Sequence, residues 1–414
     1  MIEVEGLADE PDLGARLLEG DVIVLRGCMQ ALGLFDSLRE TSLEGIRQGA
    51  GEEIARRVAE EGFEALHEIV DAKDLPPITD AVYRVVAEAA PGWLDGVLHG
   101  ALGVSKPFYF ERQPNVRFLL PYDVAVAHRA AYQRFAKTHG EGKITPHGPH
   151  RDSWLDCPTN SVNVWIAVGR VRKGNGLSIF TASYDRELPY TEKGEISREV
   201  NPGPPITFDM QPGDALLFHG DQLHATELNW TDETRHVVSF RLTLDRPHFR
   251  DLHYHHYAYS GLHGGPLGLL SGVPANLSWK YLSTRLRFLA RKLSGRDGAA
   301  AEEPAKERAA PEPEAVDLDV SEIPVGALHA VSRGVCATRL EDGRVLAFAR
   351  SCPHEGADLC NGHLSGGRVV CPWHNLAFEL EGGASRCAAV HGLRQHPVAR
   401  DGDRVRISIR HAPS

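Results

Sequence analysis

Two short cysteine–histidine doublets near the C-terminus constrain this 414-residue chain more than any other feature of its sequence. Cys352-Pro-His354 comes first, and Cys371-Pro-Trp-His374 follows after sixteen intervening residues. Thiolates and imidazoles are the usual protein ligands of zinc and of iron–sulfur clusters. Two loops that each offer one cysteine and one histidine therefore indicate a metal centre with four protein ligands. The fold must bring these two loops together.

Two kinds of metal centre fit this ligand set. A Cys2His2 zinc site is chemically possible. A [2Fe–2S] centre with two thiolates on one iron and two imidazoles on the other needs the same four ligands. The proline and glycine pattern around the doublets favours the second, and residues 316–414 resemble the Rieske ferredoxin family. The resemblance implies a small β-rich domain whose [2Fe–2S] cluster is held by Cys352, His354, Cys371 and His374.

Positions beside the doublets refine the resemblance. High-potential Rieske proteins carry a disulfide between their two cluster loops, and the matching positions here are Ala357 and Trp373. The resemblance therefore implies the ferredoxin and oxygenase branch, with a reduction potential in the lower part of about −150 to +300 mV. Asn375 stands where the family usually has glycine. Three further residues lie outside the doublets and are predicted to be structural: Cys360, His363 and Cys387.

A change in composition separates this segment from the rest of the chain. Residues 295–315 contain no aromatic and no branched aliphatic residue, so they cannot bury much surface. We expect a linker, which as a flexible coil would span about 25 Å. The predicted organisation is a catalytic domain over residues 1–294, the linker over 295–315 and the cluster domain over 316–414.

Charge and hydropathy exclude some classes of function. The net charge of −11 disfavours binding to a phosphate backbone, so no nucleic-acid partner is expected. No run approaches the roughly 20 apolar residues that cross a bilayer. The N-terminus is acidic and lacks the pattern of a signal peptide, which predicts a cytoplasmic protein. Five of the seven cysteines lie beyond residue 330, a crowding that favours a metal site over a disulfide framework.

The N-terminal region is predicted to be mainly β with flanking helices. Helical spacing of apolar residues appears at 53–72 and 80–102, and an amphipathic segment at 276–293 is expected to pack on the barrel. Short apolar runs between turn residues favour a sandwich or barrel. The predicted strands are Asp21–Arg26, Val116–Leu120, Ser161–Val168, Leu177–Phe180, Ile206–Met210, Ala215–Phe218 and His236–Leu244.

A possible second metal site lies within this β-rich region. An open non-haem iron(II) site needs two histidines and one carboxylate, and residues two apart on a strand share a face. His150-Arg-Asp152 has this spacing, but so does His219-Gly-Asp221, and His139-Gly-Glu141 is similar. The spacing alone therefore does not identify the site.

The surrounding sequence favours the first pair. The stretch from Pro149 through Val162-Asn-Val-Trp165 and Pro212-Gly-Asp214 to Arg235-His-Val-Val-Ser-Phe-Arg241 resembles the phytanoyl-CoA dioxygenase family in order and spacing. This resemblance covers roughly residues 21–247. It implies a double-stranded β-helix, or jelly roll, that binds Fe(II) and 2-oxoglutarate. Thr181-Ala-Ser-Tyr184 departs from the family's usual Pro-Gly-Ser-His, which bears on substrate contacts.

The resemblance carries specific roles to residues of this chain. It implies that iron is held by His150, Asp152 and His224, and that Arg235, eleven residues after His224, binds the distal carboxylate of 2-oxoglutarate. Arginine suits this role because its guanidinium binds a carboxylate through two hydrogen bonds. Thr226 and Trp165 match positions that line the cosubstrate pocket.

Other histidines receive a structural interpretation. His219 fits the spacing to the arginine less well, so we expect a hydrogen-bonded interior histidine. The run His253-Tyr-His255-His256-Tyr257 is expected to pack or to face substrate, with a second metal as the alternative.

Three functions remain open from the sequence. The first is an Fe(II)/2-oxoglutarate-dependent dioxygenase or hydroxylase that oxidises a small molecule with dioxygen, while the Rieske domain delivers electrons to its iron. The second is an oxygenase driven by the Rieske domain and independent of 2-oxoglutarate. The third is a non-catalytic electron carrier or redox sensor. The chain has no flavin or nicotinamide motif, so a separate reductase or ferredoxin is expected as electron donor.

Overall fold

The computed structural model describes residues 1–6, 12–71, 74–128, 147–155, 157–191, 194–249, 257–260 and 314–410. Its strands up to residue 260 are β1 (Ile2–Glu5), β2 (Ile23–Arg26), β3 (Tyr109–Glu111), β4 (Asn115–Leu119), β5 (Val162–Ala167), β6 (Leu177–Ile179), β7 (Ile206–Thr207), β8 (Ala215–His219), β9 (His224–Thr226), β10 (Arg235–Thr243) and β11 (Tyr257–Tyr259).

Helices are concentrated in the first 130 residues. The α-helices are α1 (Leu13–Leu18), α2 (Cys28–Ala31), α3 (Phe35–Ala50), α4 (Glu52–Glu61), α5 (Leu66–Ile69), α6 (Leu75–Asp95) and α7 (Tyr122–Ala127), and a π-helical segment, Gly96–Ala101, extends α6. Short 3-10 turns occur at Phe63–Ala65, Asp152–Trp154 and Thr181–Ser183.

The main sheet has the strand order β1-β2-β8-β5-β10-β3-β11, and β4 also pairs with β10. Its central strand β5 is buried along its whole length because both faces of the sheet are covered. Val162, Val164 and Ile166 belong to the core that contains the helices. Trp165 and Ala167 alternate with them and belong to a second core on the opposite face. This alternation divides the side chains of β5 between the helical layer and the interior of the domain.

Helices α3 and α6 form the layer that covers the outer face of the main sheet. Proline at the start of α6 suits the first turn of a helix, where the N–H groups need no intrahelical partner. Gly45 of α3 faces α6 so closely that a Cβ atom there would lie 2.4 Å from the Cα of Val82. Glycine therefore sets the distance between the two helices.

A second, three-stranded sheet with the order β7-β6-β9 faces the inner side of the main sheet. Leu177 and Ile179 of β6 pack with Trp165, Leu216 and Phe218 of the main sheet. Two sheets that enclose an apolar and polar interior, with helices on the outside, form the predicted jelly roll, so that prediction is confirmed.

The C-terminal region forms three small sheets. Its strands are β12 (Ala315–Asp319), β13 (Leu328–Ala330), β14 (Val335–Arg339), β15 (Val345–Ala349), β16 (His363–Ser365), β17 (Arg368–Val370), β18 (Ala377–Glu379), β19 (Gln395–His396), β20 (Val398–Asp401) and β21 (Arg404–Ser408), with 3-10 turns at Val320–Glu322 and Leu359–Asn361. The sheets have the orders β12-β21-β20, β13-β14-β15-β19 and β16-β17-β18. The prediction of a small β-rich domain is therefore confirmed.

Several details differ from the sequence expectations or lie beyond the described residues. The strand expected at Ile206–Met210 is confined to Ile206–Thr207. Cys336 and Cys360 form a disulfide that the sequence did not predict, and Cys360 comes directly after the first cluster loop. The helix expected at 276–293, most of the linker and most of the histidine-rich run at 253–257 lie outside the described residues. Among the helices that the structure describes, none is both long and apolar enough to cross a membrane.

Candidate metal centres and the contact between them

His150, Asp152 and His224 come together inside the jelly roll. Their possible ligand atoms all lie within 4.8 Å of one another, and all three residues are buried. A short antiparallel bridge between the backbones of His150 and His224 aligns them, and their rings are 4.3 Å apart. Two neutral nitrogens and one carboxylate oxygen at this spacing match an open Fe(II) site.

Hydrogen bonds fix the orientation of both imidazoles. The Nδ1 atoms of His150 and His224 each lie 2.8 Å from a backbone carbonyl oxygen two residues earlier, at Gly148 and Gln222. If Nδ1 donates in each case, Nε2 carries the lone pair that can bind a metal. Burial lowers the pKa of His150 to about 3 and also lowers the pKa of His224. Both rings are therefore neutral at physiological pH, as metal binding requires.

The carboxylate of Asp152 is held in its charged form. Burial opposes its ionisation, but Arg241 and the two histidines outweigh that effect and lower the pKa of Asp152. The guanidinium of Arg241 lies 3.1 Å from one oxygen of Asp152, and the amide of Asn163 donates to the other at 2.6 Å. Strand register explains this arrangement, because Arg241 and Asn163 are directly paired on β10 and β5.

Arg235 lies on the same face of β10 as Arg241, in the same interior. Its side chain is almost fully buried and donates to the carbonyl oxygens of Asn175 and Gly176 at 2.8 and 3.0 Å. Its Nε has no hydrogen-bond partner among the described residues. Burial, with Arg117 nearby, lowers the pKa of Arg235 to about 9. Among the described residues the hydrogen bonds of this buried cation go to carbonyl oxygens, an arrangement that a bound anion would complete.

Trp165 and Thr226 border this arginine. The guanidinium carbon of Arg235 lies 5.2 Å from the centre of the Trp165 ring. Thr226 is on the same face of β9 as His224 and pairs with Leu177, next to Gly176. Trp165 is thus next to Arg235, and Thr226 shares a strand face with the triad residue His224. His219 lies apart, at the end of β8, where its Nδ1 accepts a hydrogen bond from the Asp221 N–H at 3.1 Å.

The second candidate centre consists of two loops of matching geometry. In each loop, the N–H of the cysteine donates at 2.8 Å to the carbonyl five residues later, from Cys352 to Ala357 and from Cys371 to Leu376. The two thiols share a hydrogen bond, which lowers the pKa of Cys352. Backbone N–H groups that follow each cysteine also point at its sulfur. Such donors stabilise negative charge on sulfur and tune the potential of an iron–sulfur cluster.

The histidines of these loops complete the centre. The rings of His354 and His374 lie 4.9 Å apart. His374 is 1% exposed, and neither of its nitrogens has a hydrogen-bond partner among the described residues. A buried imidazole without such partners is costly unless it binds a group that is not protein. Two thiols and two imidazoles in this arrangement fit a Rieske cluster.

Comparison with known families agrees with both centres. The sequence model of the phytanoyl-CoA dioxygenase (PhyH) family matches residues 32–237, and that of the Rieske [2Fe–2S] domain matches residues 314–397. The chain is a PhyH domain joined to a Rieske domain. It is therefore an oxidoreductase of the oxygenase class, with an iron site in the PhyH domain and a [2Fe–2S] cluster in the Rieske domain.

Individual relatives match only short parts of the chain. The ferredoxin component of the naphthalene 1,2-dioxygenase system of Pseudomonas aeruginosa is 32% identical over 69 residues, which are 16% of this chain and 66% of that protein. The ferredoxin component of the alkene monooxygenase system of Xanthobacter autotrophicus is 34% identical over 73 residues, 17% of this chain and 60% of that protein. The chain spans 7% of mouse apoptosis-inducing factor 3, at 46% identity over 43 residues.

Solved structures give similar matches. The ferredoxin of Sphingomonas yanoikuyae B1 is 24% identical and is covered over 94% of its length, against 22% of this chain, with a TM-score of 0.21. The ferredoxin of the carbazole 1,9a-dioxygenase from Nocardioides aromaticivorans IC177 is 24% identical, with 100% of that protein and 24% of this chain covered and a TM-score of 0.22.

The Rieske domain contacts the PhyH domain through its cluster loops. The N–H of Leu228 donates to the carbonyl oxygen of His374 at 3.1 Å, and the Leu228 side chain packs in the core around the cluster loops. The hydroxyl of Tyr122 lies 2.9 Å from Nε2 of His354. Metal binding by His354 would then use Nδ1. The imidazole side of the cluster site therefore faces the PhyH domain of the same chain.

Two further contacts frame this interface. The amide of Asn375 donates to a carboxylate oxygen of Glu227 at 2.5 Å. Arg198 of the PhyH domain donates to the carbonyl of Glu355 at 3.4 Å, and its guanidinium carbon lies 5.5 Å from the Trp373 ring. Both cluster loops are therefore held by side chains from the PhyH domain.

Sequence reasoning placed the ten predicted site residues in two clusters, and the structure brings each cluster together. It missed the residues that support or connect them: Asn163, Arg241, Glu227 and Tyr122. Arg241 could have been found from the sequence, because it is an even number of residues from Arg235 on the same strand and so faces the same side of the sheet. Glu227 and Tyr122 gave no local signal, because the contacts that connect the centres, to Asn375 and His354, lie in the other domain.

Proposed function

We propose that this protein is an Fe(II)/2-oxoglutarate-dependent oxygenase that oxidises a small molecule, with a fused Rieske domain that delivers electrons to the mononuclear iron. In this proposal His150, Asp152 and His224 hold the iron, and Arg235 binds the distal carboxylate of 2-oxoglutarate. Cys352, His354, Cys371 and His374 hold the [2Fe–2S] cluster. Dioxygen is the co-substrate, and a separate reductase or ferredoxin supplies electrons to the Rieske domain.

The observation that carries the proposal is the presence of the 2-His-1-carboxylate cluster and a buried, incompletely satisfied arginine in one interior. The triad alone would suit several iron oxygenases. Arg235 adds a fixed cation at a depth where a carboxylate gains a strong, two-pronged hydrogen bond. Its Nε has no partner in the described part of the chain, so a ligand carboxylate would satisfy a donor that is otherwise costly to bury.

The protein residues perform three tasks in this proposal. The neutral imidazoles and charged carboxylate present ligands that need no proton release before iron binds. Asn163 and Arg241 fix the carboxylate of Asp152 through both of its oxygens. Trp165 packs against the guanidinium of Arg235, beside the place where the distal carboxylate of 2-oxoglutarate would bind. Bound Fe(II), with 2-oxoglutarate and dioxygen, supplies a two-electron oxidation that releases succinate and carbon dioxide.

The Rieske domain has a distinct task. A cluster held by Cys352, His354, Cys371 and His374 would supply one electron at a time and could return iron held by His150, Asp152 and His224 from Fe(III) to Fe(II). The close contact between the cluster loops and the PhyH domain also favours a second candidate, in which the cluster supplies catalytic electrons and 2-oxoglutarate is dispensable. Arg235 favours the first candidate because the second gives the buried Nε of Arg235 no acceptor among the described residues.

An anaerobic titration separates the two candidates. Fe(II) and then 2-oxoglutarate are added to the full chain without oxygen, and the metal-to-ligand charge-transfer band is recorded. The proposal expects a band that saturates with 2-oxoglutarate. Arg235→Ala should weaken this binding by at least about 100-fold, because a buried ion pair is lost. Arg235→Lys is the matched control, since it keeps the charge but not the two-pronged geometry, and should bind with intermediate affinity.

Two outcomes would contradict the proposal. One is the absence of any charge-transfer band at saturating Fe(II). The other is substrate oxidation by Arg235→Ala at the wild-type rate with a reductase and without 2-oxoglutarate, which would establish the second candidate.

A further inference from the structure

Asn375 departs from the Rieske pattern, which usually has glycine at this position. Its φ of 55° lies in the left-handed region, where glycine is favoured and asparagine is tolerated. The matching position of the first cluster loop is Gly356, with φ of 77°. The backbone conformation therefore favours glycine at both positions. An asparagine at 375 serves a purpose that glycine cannot, and its amide contacts Glu227 of the PhyH domain at 2.5 Å.

Glu227 is a buried carboxylate with a full set of partners. One of its oxygens accepts the N–H groups of Gly174 and Gly176 at 2.9 and 3.1 Å, and the other accepts the amide of Asn375. The carbonyl of Gly176 accepts in turn from Arg235. Glu227 therefore connects the Gly174–Gly176 loop, which contacts Arg235, to Asn375 of the second cluster loop.

The adjacent residue provides a direct link between the two centres. Leu228 follows Glu227, and its N–H donates to the carbonyl oxygen of His374 at 3.1 Å. Leu228 is fully buried in the core around the cluster loops, so water is excluded from this contact. Along the chain, His224 is only four residues from Leu228. One hydrogen bond and the backbone from 228 to 224 thus connect a Rieske histidine to a histidine of the iron site.

We propose that residues 224–228 form the electron route between the two centres within a single chain, and that Asn375 is the positioning residue that holds it. This inference rests on the proposed electron-delivery function. The step transfers one electron from the reduced cluster to ferric mononuclear iron, so the cluster becomes oxidised and the iron becomes ferrous. No bond is broken and no other reductant is needed. By anchoring Glu227, Asn375 keeps the Leu228–His374 hydrogen bond in register.

The test uses the full chain loaded with both metal groups. Its cluster is reduced without oxygen while the mononuclear iron is ferric, and cluster reoxidation is followed by absorption and by the electron paramagnetic resonance of the reduced cluster. A route within one chain predicts a first-order rate that does not change over a tenfold range of protein concentration. Asn375→Gly should slow this transfer at least tenfold. It should leave the spectrum and potential of the cluster unchanged, because glycine suits the backbone at that position.

Two controls separate positioning from general damage. Asn375→Asp keeps the size of the side chain but places a carboxylate against Glu227, so it should slow transfer more than Asn375→Gly. Asn361→Gly removes a different contact between domains, the 2.9 Å hydrogen bond to the carbonyl of Arg198, and should keep the wild-type rate. Hydrogen exchange provides a readout that does not depend on electron transfer. The amide of Leu228 should exchange slowly in the wild type and at least tenfold faster in Asn375→Gly.

The outcomes distinguish this inference from the proposed function. A wild-type cluster that never reduces the ferric iron would overturn electron delivery itself. Transfer whose rate rises in proportion to protein concentration would overturn only the route within one chain. Equal slowing by Asn375→Gly and Asn361→Gly would show that general docking sets the rate, and would overturn the assignment to residues 224–228.

Discussion

Arg241 and Asp152 form an ion pair, with 3.1 Å between the partly buried guanidinium and the fully buried carboxylate, at the site where the phytanoyl-CoA dioxygenase domain is proposed to hold iron. The pair has two consequences. It keeps Asp152 charged in a buried setting, and together with Asn163 it restrains both oxygens of the carboxylate. We therefore expect Arg241, six residues after Arg235 on the same face of β10, to support the proposed iron site.

Arg241→Ala should destabilise the metal-free protein, because it leaves the buried carboxylate of Asp152 without its cation. Removing one partner of a buried pair costs about 3–5 kcal/mol. Chemical denaturation of the full chain measures this loss as a lower midpoint for the PhyH domain. The double variant Arg241→Ala/Asp152→Ala is the control and should recover part of the stability, since the lone charge of Asp152 is removed. Glu111, which lies 3.4 Å from Arg241, loses its cation equally in both variants. A single-variant loss below about 0.5 kcal/mol would show that the pair is solvated.

The two metal centres should be separable by substitution. Loaded wild-type protein should contain about three iron ions per chain, two in the cluster and one in the barrel. Cys352→Ser should abolish the visible absorption of the cluster and leave about one iron ion per chain. His150→Ala should keep the visible absorption of the cluster and leave about two iron ions per chain. Cys387→Ser, at a Rieske-domain cysteine outside the doublets, should retain both groups. Metal analysis that finds zinc and no visible bands in the wild type would refute the cluster.

The cluster potential should lie in the lower part of the window of about −150 to +300 mV that two imidazole ligands allow. The two cluster loops carry no cysteine pair at positions 357 and 373, and the disulfide in the described part of the domain joins Cys336 to Cys360 instead. Protein-film voltammetry at neutral pH measures the potential. A value above about +200 mV would contradict the assignment to the ferredoxin and oxygenase branch.

Buried histidines should make the PhyH domain sensitive to acid. Burial lowers the pKa of His236 to about 3, whereas the unfolded chain binds a proton near pH 6.5. Between these two values only the unfolded state is protonated at this residue, so stability falls as the pH falls below about 6.5. His236→Phe should reduce this dependence by about 1.4 kcal/mol per pH unit. Urea midpoints at pH 7 and pH 5.5 measure how steeply stability depends on pH. An identical pH dependence in the wild type and in His236→Phe would show that His236 does not cause it.

Much of this molecule could be predicted from its sequence, because the informative signals are local. The doublets at 352–354 and 371–374 indicate a metal centre by their short spacing, and alternation along Val162–Ala167 indicates which side chains face the interior. The contact between domains could not be predicted in this way. A linker of about 25 Å coil span allows many positions for the Rieske domain, and nothing near Glu227 or Tyr122 indicates a partner more than one hundred residues away. Asn375 was a visible sign of this contact, because it replaces the usual glycine and its amide binds Glu227 of the PhyH domain.

The central claim is that the cluster and the mononuclear iron exchange electrons, and one measurement tests it most directly. The full chain, with oxidised cluster and ferric mononuclear iron, receives one electron equivalent per chain without oxygen and is frozen after rapid mixing. Electron paramagnetic resonance then reports where the electron resides. The account predicts that the ferric signal disappears while the cluster returns to its oxidised, silent state. A cluster that stays reduced beside iron that stays ferric would contradict it.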